Sequence, residues 1–198
     1  MFKTLIIAAV LAPFAANASV EVGKAAPNFS VTDAQGKARS LAEFKGKTVV
    51  LEWHNPECPF VKKHYNGSTN MQTQQKAASA NGVVWLAINS GAPGKQGAMD
   101  GATAVAKLAA LQSAPNAYLL DSDGNVGKAY GATTTPHMYV IDGSGVLRYA
   151  GAIDSVPSAD AADIPGATQY VSQALAELQA GKPVSMAVTK SYGCSVKY

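Results

Sequence analysis

Two short apolar runs, Thr48 to Trp53 and Val83 to Ile88, flank a stretch of helical periodicity, and that order leaves very few folds open. Each run is nearly continuous rather than alternating, as expected of strands covered on both faces. Between them, Pro59 to about Ala80 reads as a helix that Asn81-Gly82 ends. Strand, helix, strand at this spacing implies a parallel βαβ unit, because parallel neighbours need a long crossover. The hand-over from strand to helix runs His54-Asn55-Pro56-Glu57-Cys58-Pro59.

That junction carries one of only two cysteines in the chain. At the first turn of a helix, free N–H groups and the positive end of the dipole favour a thiolate. Pro59 suits the first helical position, where a missing N–H costs nothing. Cys58 is therefore read as a reactive thiol, against the alternative of a small buried hydrophobe. Lys62 and Lys63 either add positive charge nearby or are ordinary solvated helix residues.

The rest of the chain extends the α/β pattern. Asn28 to Asp33 alternates like a strand, with a turn at Gln35-Gly36. Gly91 to Gly97 is a Gly/Pro loop, and Met99 to Leu111 is helical. Ala117 to Leu120 is a strand, and Val126 to Tyr130 a short helix. Thr133-Thr134-Thr135-Pro136 leads into a strand from His137 to Ile141. A turn at Asp142-Gly143-Ser144-Gly145 then returns Val146 to Ala150 antiparallel. Gly166 to Ala180 is the last helix, and the tail from Lys182 holds Cys194.

The amino end reads as a targeting segment. Lys3 supplies a positive start, Thr4 to Phe14 is apolar but short, and Ala16-Asn17-Ala18 offers a cleavage site. The expected products are a signal peptide, residues 1–18, and a mature domain, residues 19–198, exported to the periplasm without a stable membrane anchor. Export makes pairing of the two cysteines chemically reasonable. A Cys58–Cys194 bond would close a loop worth about 4 kcal/mol in the chain-entropy model. The tail cysteine either resolves an oxidised Cys58, staples the tail permanently, or stays unpaired. Only two arginines, Arg39 and Arg148, and nearly balanced charge argue against a nucleic-acid surface.

Two motifs are false leads. Asp121 to Asn125 lacks the glycine and glutamate positions of a calcium loop. Gly91 to Gly97 lacks the Gly-Lys-Ser/Thr ending of a phosphate loop. His54 and His64 flank Cys58 and suggest a copper site, but lack a second local cysteine, so no metal is assigned.

The chain resembles the thioredoxin fold, in its redoxin branch of alkyl hydroperoxide reductase and thiol-specific antioxidant proteins, and especially the peroxiredoxin-like members. The resemblance is carried by Gly23 to Phe29, Asn55 to Lys62, Ala87 to Ser90, Val126 to Ala132, Thr135-Pro136 through Asp142, Gly151 to Asp154, and Tyr192 to Lys197. It implies a central mixed sheet with helices on both faces and a C-terminal tail. It implies a cis Thr135–Pro136 bond beside the thiol, with Thr135 and Pro136 seating an extended substrate. It also implies thiol, disulfide or peroxide partners, an external reductant, and no cofactor. Two positions depart from the pattern. Val61 stands where thioredoxin-type reductants carry a second cysteine, and Asn55 stands where peroxidases carry Thr or Ser. The alternative function is a non-catalytic binding or copper-chaperone-like module on the same fold.

Overall fold

The computed structural model describes residues 20–198. The expected signal peptide, residues 1–18, lies outside them. In chain order the elements are β1 (Ser30–Thr32), β2 (Ala38–Ser40), a 3-10 turn (Leu41–Phe44), β3 (Val49–Trp53), α1 (Pro59–Tyr65) and α2 (Asn70–Ala80). Then follow β4 (Val84–Asn89), α3 (Gly101–Ala110), β5 (Ala117–Leu120), α4 (Asn125–Tyr130), β6 (Thr134–Thr135), β7 (His137–Ile141) and β8 (Leu147–Gly151). A second 3-10 segment (Ala161–Gly166), α5 (Tyr170–Gln179) and β9 (Cys194–Ser195) complete the chain.

The central sheet has five strands in the order β5-β4-β3-β7-β8. β3 pairs parallel with β4 and antiparallel with β7, so the sheet is mixed. Every residue of β3 and β4 is buried, which accounts for their unbroken apolar runs. Alternate residues feed two faces. Val50, Trp85, Met138, Val140 and Tyr149 pack with α1, α2 and α5. Leu51, Trp53, Leu86, Ile88 and Tyr139 pack against α4, the first 3-10 turn and the segment before β1. Full burial of each large aliphatic side chain stabilises the fold by roughly 1.5–3 kcal/mol.

The expected helix from Pro59 to Ala80 is two helices. Gly67 N donates to Lys62 O at 2.9 Å, and Ser68 Oγ donates to Lys63 O at 2.9 Å, closing α1. A Cβ at Gly67 would lie 2.9 Å from Ala161 Cβ, so this break admits the second 3-10 segment. The expected last helix from Gly166 is likewise shortened. Its first residue, Gly166, ends a 3-10 segment containing Pro165, and α5 begins only at Tyr170. The strands β2, β6 and β9 were not legible from periodicity, because each has only two or three residues.

Candidate active site

The β3–α1 junction is built by backbone and amide hydrogen bonds. His54 N donates to Ile88 O at 2.8 Å, which carries the chain one step past the end of β3. Asn55 Oδ1 accepts from Glu57 N at 2.9 Å, and Asn55 O accepts from Cys58 N at 3.1 Å. The 91–97 loop clamps this turn. Asn55 Nδ2 reaches Gln96 O at 3.3 Å, and Asn89 Nδ2 donates to both His54 O and Gly97 O. Gly97 has φ of +78°, and a Cβ there would overlap the Asn55 amide. Cys58 emerges as the N-cap residue of α1, with extended backbone, and Pro59 follows at the first helical position.

Sheet register delivers the second wall. β7 runs antiparallel to β3, so His137 at its start lies opposite Trp53 at the end of β3. The residues before β7 therefore lie beside the junction. The Thr135–Pro136 bond is cis, as the resemblance implied. Thr135 O is 3.1 Å from Cys58 Sγ.

The tail supplies the third wall. β9 pairs antiparallel with β6, with Thr135 opposite Cys194 and Thr134 opposite Ser195. Cys194 Sγ stands 2.7 Å from Cys58 Sγ, and both are free thiols. The structure thus brings together the predicted Cys58, Cys194, Thr135 and Pro136, although the two cysteines are 136 residues apart in sequence.

The two sulfurs are electrostatically unlike. Burial opposes the Cys58 thiolate. Hydrogen bonding from the Cys194 thiol, then from the amides of Val61 and Cys194 and from the Thr135 side chain, outweighs it and holds the thiol below its ordinary value. Cys194 is pushed up to about 11 by burial, then by its hydrogen bond to Cys58 and the charge there. With Cys58 ionised, the Cys194 S–H donates to it. With Cys58 protonated, its proton can go to Thr135 O instead.

Lys63, His54 and His64 flank the junction. Lys63 is no solvated helix residue. Its side chain is fully buried, with Nζ 3.0 Å from Asp154 Oδ2 and 2.9 Å from Val156 O. Tyr192 of the tail donates to the other Asp154 oxygen, and its ring lies against Phe60 and over Lys63. His64 Nδ1 is 2.8 Å from Asn70 Nδ2, and burial lowers its pKa to about 4. His54 Nδ1 is 2.8 Å from Tyr118 Oη, and burial lowers its pKa to about 3. The two histidines are thus committed to separate partners. Among the described residues no three His, Cys, Asp or Glu side chains form a group able to hold a metal ion.

Sequence reasoning passed over Glu52, Asp154 and Tyr192. Glu52 is fully buried in the middle of β3, where Tyr65 Oη donates at 2.7 Å and Trp85 Nε1 at 2.8 Å. Burial pushes its pKa up to about 7 despite these donors. An acid inside an apolar strand was the available signal. Asp154 and Tyr192 lay in matching stretches, but only folding pairs them.

Known proteins similar to this chain include thiol-disulfide oxidoreductases. ResA of Bacillus subtilis (strain 168), a thiol-disulfide oxidoreductase, is 36% identical over 80 residues, covering 40% of this chain and 43% of that protein. ResA of Bacillus cereus (strain ATCC 10987 / NRS 248) is 42% identical over 59 residues, 26% of this chain and 34% of its own length. The chain spans less than half the length of these curated relatives. An uncharacterized conserved protein from Geobacillus kaustophilus has a similar structure, with TM-score 0.77 at 26% identity, over 91% of this chain and 94% of that one. A putative thiol:disulfide interchange protein DsbE from Chlorobium tepidum shares the thioredoxin-like fold, with TM-score 0.53 at 22% identity over 65% of this chain and 83% of its own. The model of the AhpC/TSA family matches residues 22–150, from before β1 into β8, and the chain belongs to that family.

Proposed function

We propose that this chain is an exported thiol–disulfide oxidoreductase in which Cys58 attacks and Cys194 resolves. The observation that carries the reading is the 2.7 Å approach of the two sulfurs at the N-terminus of α1, with the thiolate favoured on Cys58. The Cys58 thiolate attacks one sulfur of a substrate disulfide. A mixed disulfide forms and the other substrate sulfur leaves as a thiolate. Cys194, losing its proton, then attacks Cys58 Sγ and displaces the second substrate thiolate. Two electrons pass to the substrate, and an external dithiol restores the pair. Thr135 and Pro136 line the approach and seat an extended substrate. Residues 1–18 direct export, and residues 19–198 form the working domain in the periplasm.

Disulfide exchange is favoured over peroxide reduction by what surrounds the thiol. Asn55 is spent on the turn through Glu57 N and Gln96 O. Arg39 pairs with Asp33 and Glu43, and Arg148 with Asp142, so neither guanidinium is free to polarise a peroxide at Cys58.

The test is the mass of the mature protein after alkylation, with and without prior reductant, and again after a small dose of peroxide. The reading expects two free thiols in the reduced protein, and reversible joining when a small disulfide is added. A Cys58–Cys194 bond that resists mild reductant would make the pair a staple and overturn it. Joining driven faster by peroxide than by disulfide would transfer the chain to the peroxidases.

A further inference from the structure

The seven tail residues Tyr192 to Tyr198 lie across the site in the manner of a bound peptide. They pair with the edge that precedes the cis proline: Val196 N donates to Thr133 O at 3.1 Å, and Cys194 sits opposite Thr135. Tyr192 fills the space between Phe60, Lys63 and Asp154. At the other end, Lys197 O accepts from Ala92 N at 2.8 Å, and Tyr198 Oη donates to Ala132 O at 2.7 Å. Beneath this strap Cys58 has 0% of its surface exposed. No substrate disulfide can reach it while the strap is in place.

The strap has its own upstream anchor. Thr189 N donates to Ala150 O at 3.1 Å, and Thr189 Oγ1 accepts from Ala152 N at 2.9 Å. Residues beyond that anchor are held by a two-residue strand, the backbone bonds of Val196 and Lys197, and side-chain contacts, so they can leave while the rest of the tail stays. One position of the strap is chemically exacting. Gly193 has φ of +131°, and a Cβ there would overlap the Thr135 carbonyl oxygen.

We propose that the strap is an internal stand-in for the protein's partner, and that the partner is an extended polypeptide carrying a disulfide-bonded cysteine directly preceded by glycine. This rests on the thiol–disulfide reading above. The partner displaces Tyr192 to Tyr198 and pairs antiparallel with Thr133 to Thr135. Its cysteine takes the place of Cys194, and an aromatic side chain two residues earlier takes the place of Tyr192. Cys58 attacks the partner's disulfide, forms the mixed disulfide and releases the other half as a thiolate. The returning strap competes for the same edge. Cys194 then attacks Cys58 Sγ, so one movement resolves the mixed disulfide and ejects the reduced partner.

The test uses the full chain carrying Cys194→Ser, which stops at the mixed disulfide. The probe is a synthetic peptide with the sequence of residues 192–197, its cysteine joined to glutathione. A second peptide has alanine in place of the glycine. The glycine peptide should load onto Cys58 about tenfold faster or more, the ratio set by forcing one extra methyl into a filled space. Equal rates overturn the inference. Glutathione disulfide alone is the control. If it also fails to react with Cys58, the thiol–disulfide reading falls with the inference; if it reacts while the peptides load equally, only the inference falls. A second variant of the full chain, Gly193→Ala, should release the strap and speed alkylation of Cys58 by about tenfold. An unchanged rate shows that the strap does not shield the thiol.

Discussion

The β3–α1 junction and the C-terminal tail reach the same point in space by opposite means. The junction grows out of a fully buried strand, and a backbone hydrogen bond to β4 with the side-chain amides of Asn55 and Asn89 fixes it. The tail arrives as a strand of two residues, held at its ends by Tyr192 and Tyr198. Rigid support suits the sulfur that attacks, because the Val61 amide and Thr135 must stay aimed at it when Cys194 and its amide leave with the tail. Releasable support suits the sulfur that resolves, because it must let a substrate in and then return. The opposed pKa shifts follow the same division: lowered on the junction cysteine, raised to about 11 on the tail cysteine.

The largest test of that division is at the sulfurs themselves. Cys58→Ser should reduce disulfide exchange to background, while Cys194→Ser should keep the first attack and accumulate a mixed disulfide, read by mass. Equal loss in both would mean that the two cysteines act as one unit rather than in sequence. The next test cuts the tie between the regions. Asp154→Ala leaves Lys63 buried without its partner and frees Tyr192, so stability should fall by about 3–5 kcal/mol in urea unfolding. Cys58 alkylation should rise in the folded protein. A stability loss with no change in alkylation would place the pair in the core alone.

A pH series separates core from strap. His54, His64 and His137 are all lowered by burial, to about 3, 4 and 4, so each is neutral in the folded state. Their stabilisation is lost as pH falls below the unfolded value near 6.5 toward the folded values. Glu52 acts the other way: raised to about 7, it favours folding while protonated, and that contribution fades as pH rises from 4.5 through 7. Three groups outweigh one, so stability should drop by roughly 3–4 kcal/mol from pH 7 to pH 5. Glu52→Gln should deepen that drop, and thermal or urea unfolding at the two pH values reads it. A flat profile would mean that the histidines are not held neutral. The smallest effect is at the far end of the strap. Tyr198→Phe removes one hydrogen bond and should cost about 1 kcal/mol of docking, seen as modestly faster Cys58 alkylation with global stability unchanged.

How much of this was legible in the chain depended on whether the controlling contacts were local. β3, β4, β7 and the hairpin at Asp142 to Gly145 were readable, because apolar runs and turn glycines act within a few residues. The Cys58-Pro59 helix start was readable for the same reason. The break at Gly67 was not, although Asn66-Gly67 is a turn signal, because its purpose is to admit Ala161. Lys63 looked solvated because its partner, Asp154, is 91 residues away. β6 and β9 have no pattern of their own; each is a strand only because the other is there.

The sequence by itself determined the α/β order, the thiol at a helix start and the presence of a second thiol in the tail. Periodicity, proline geometry and residue chemistry are local properties, and the chain carries them before it folds. Only the tertiary structure decided that the two thiols meet, which of them ionises first, and that the tail lies across the site. Those outcomes depend on sheet register and burial, which bring together groups that no local rule connects.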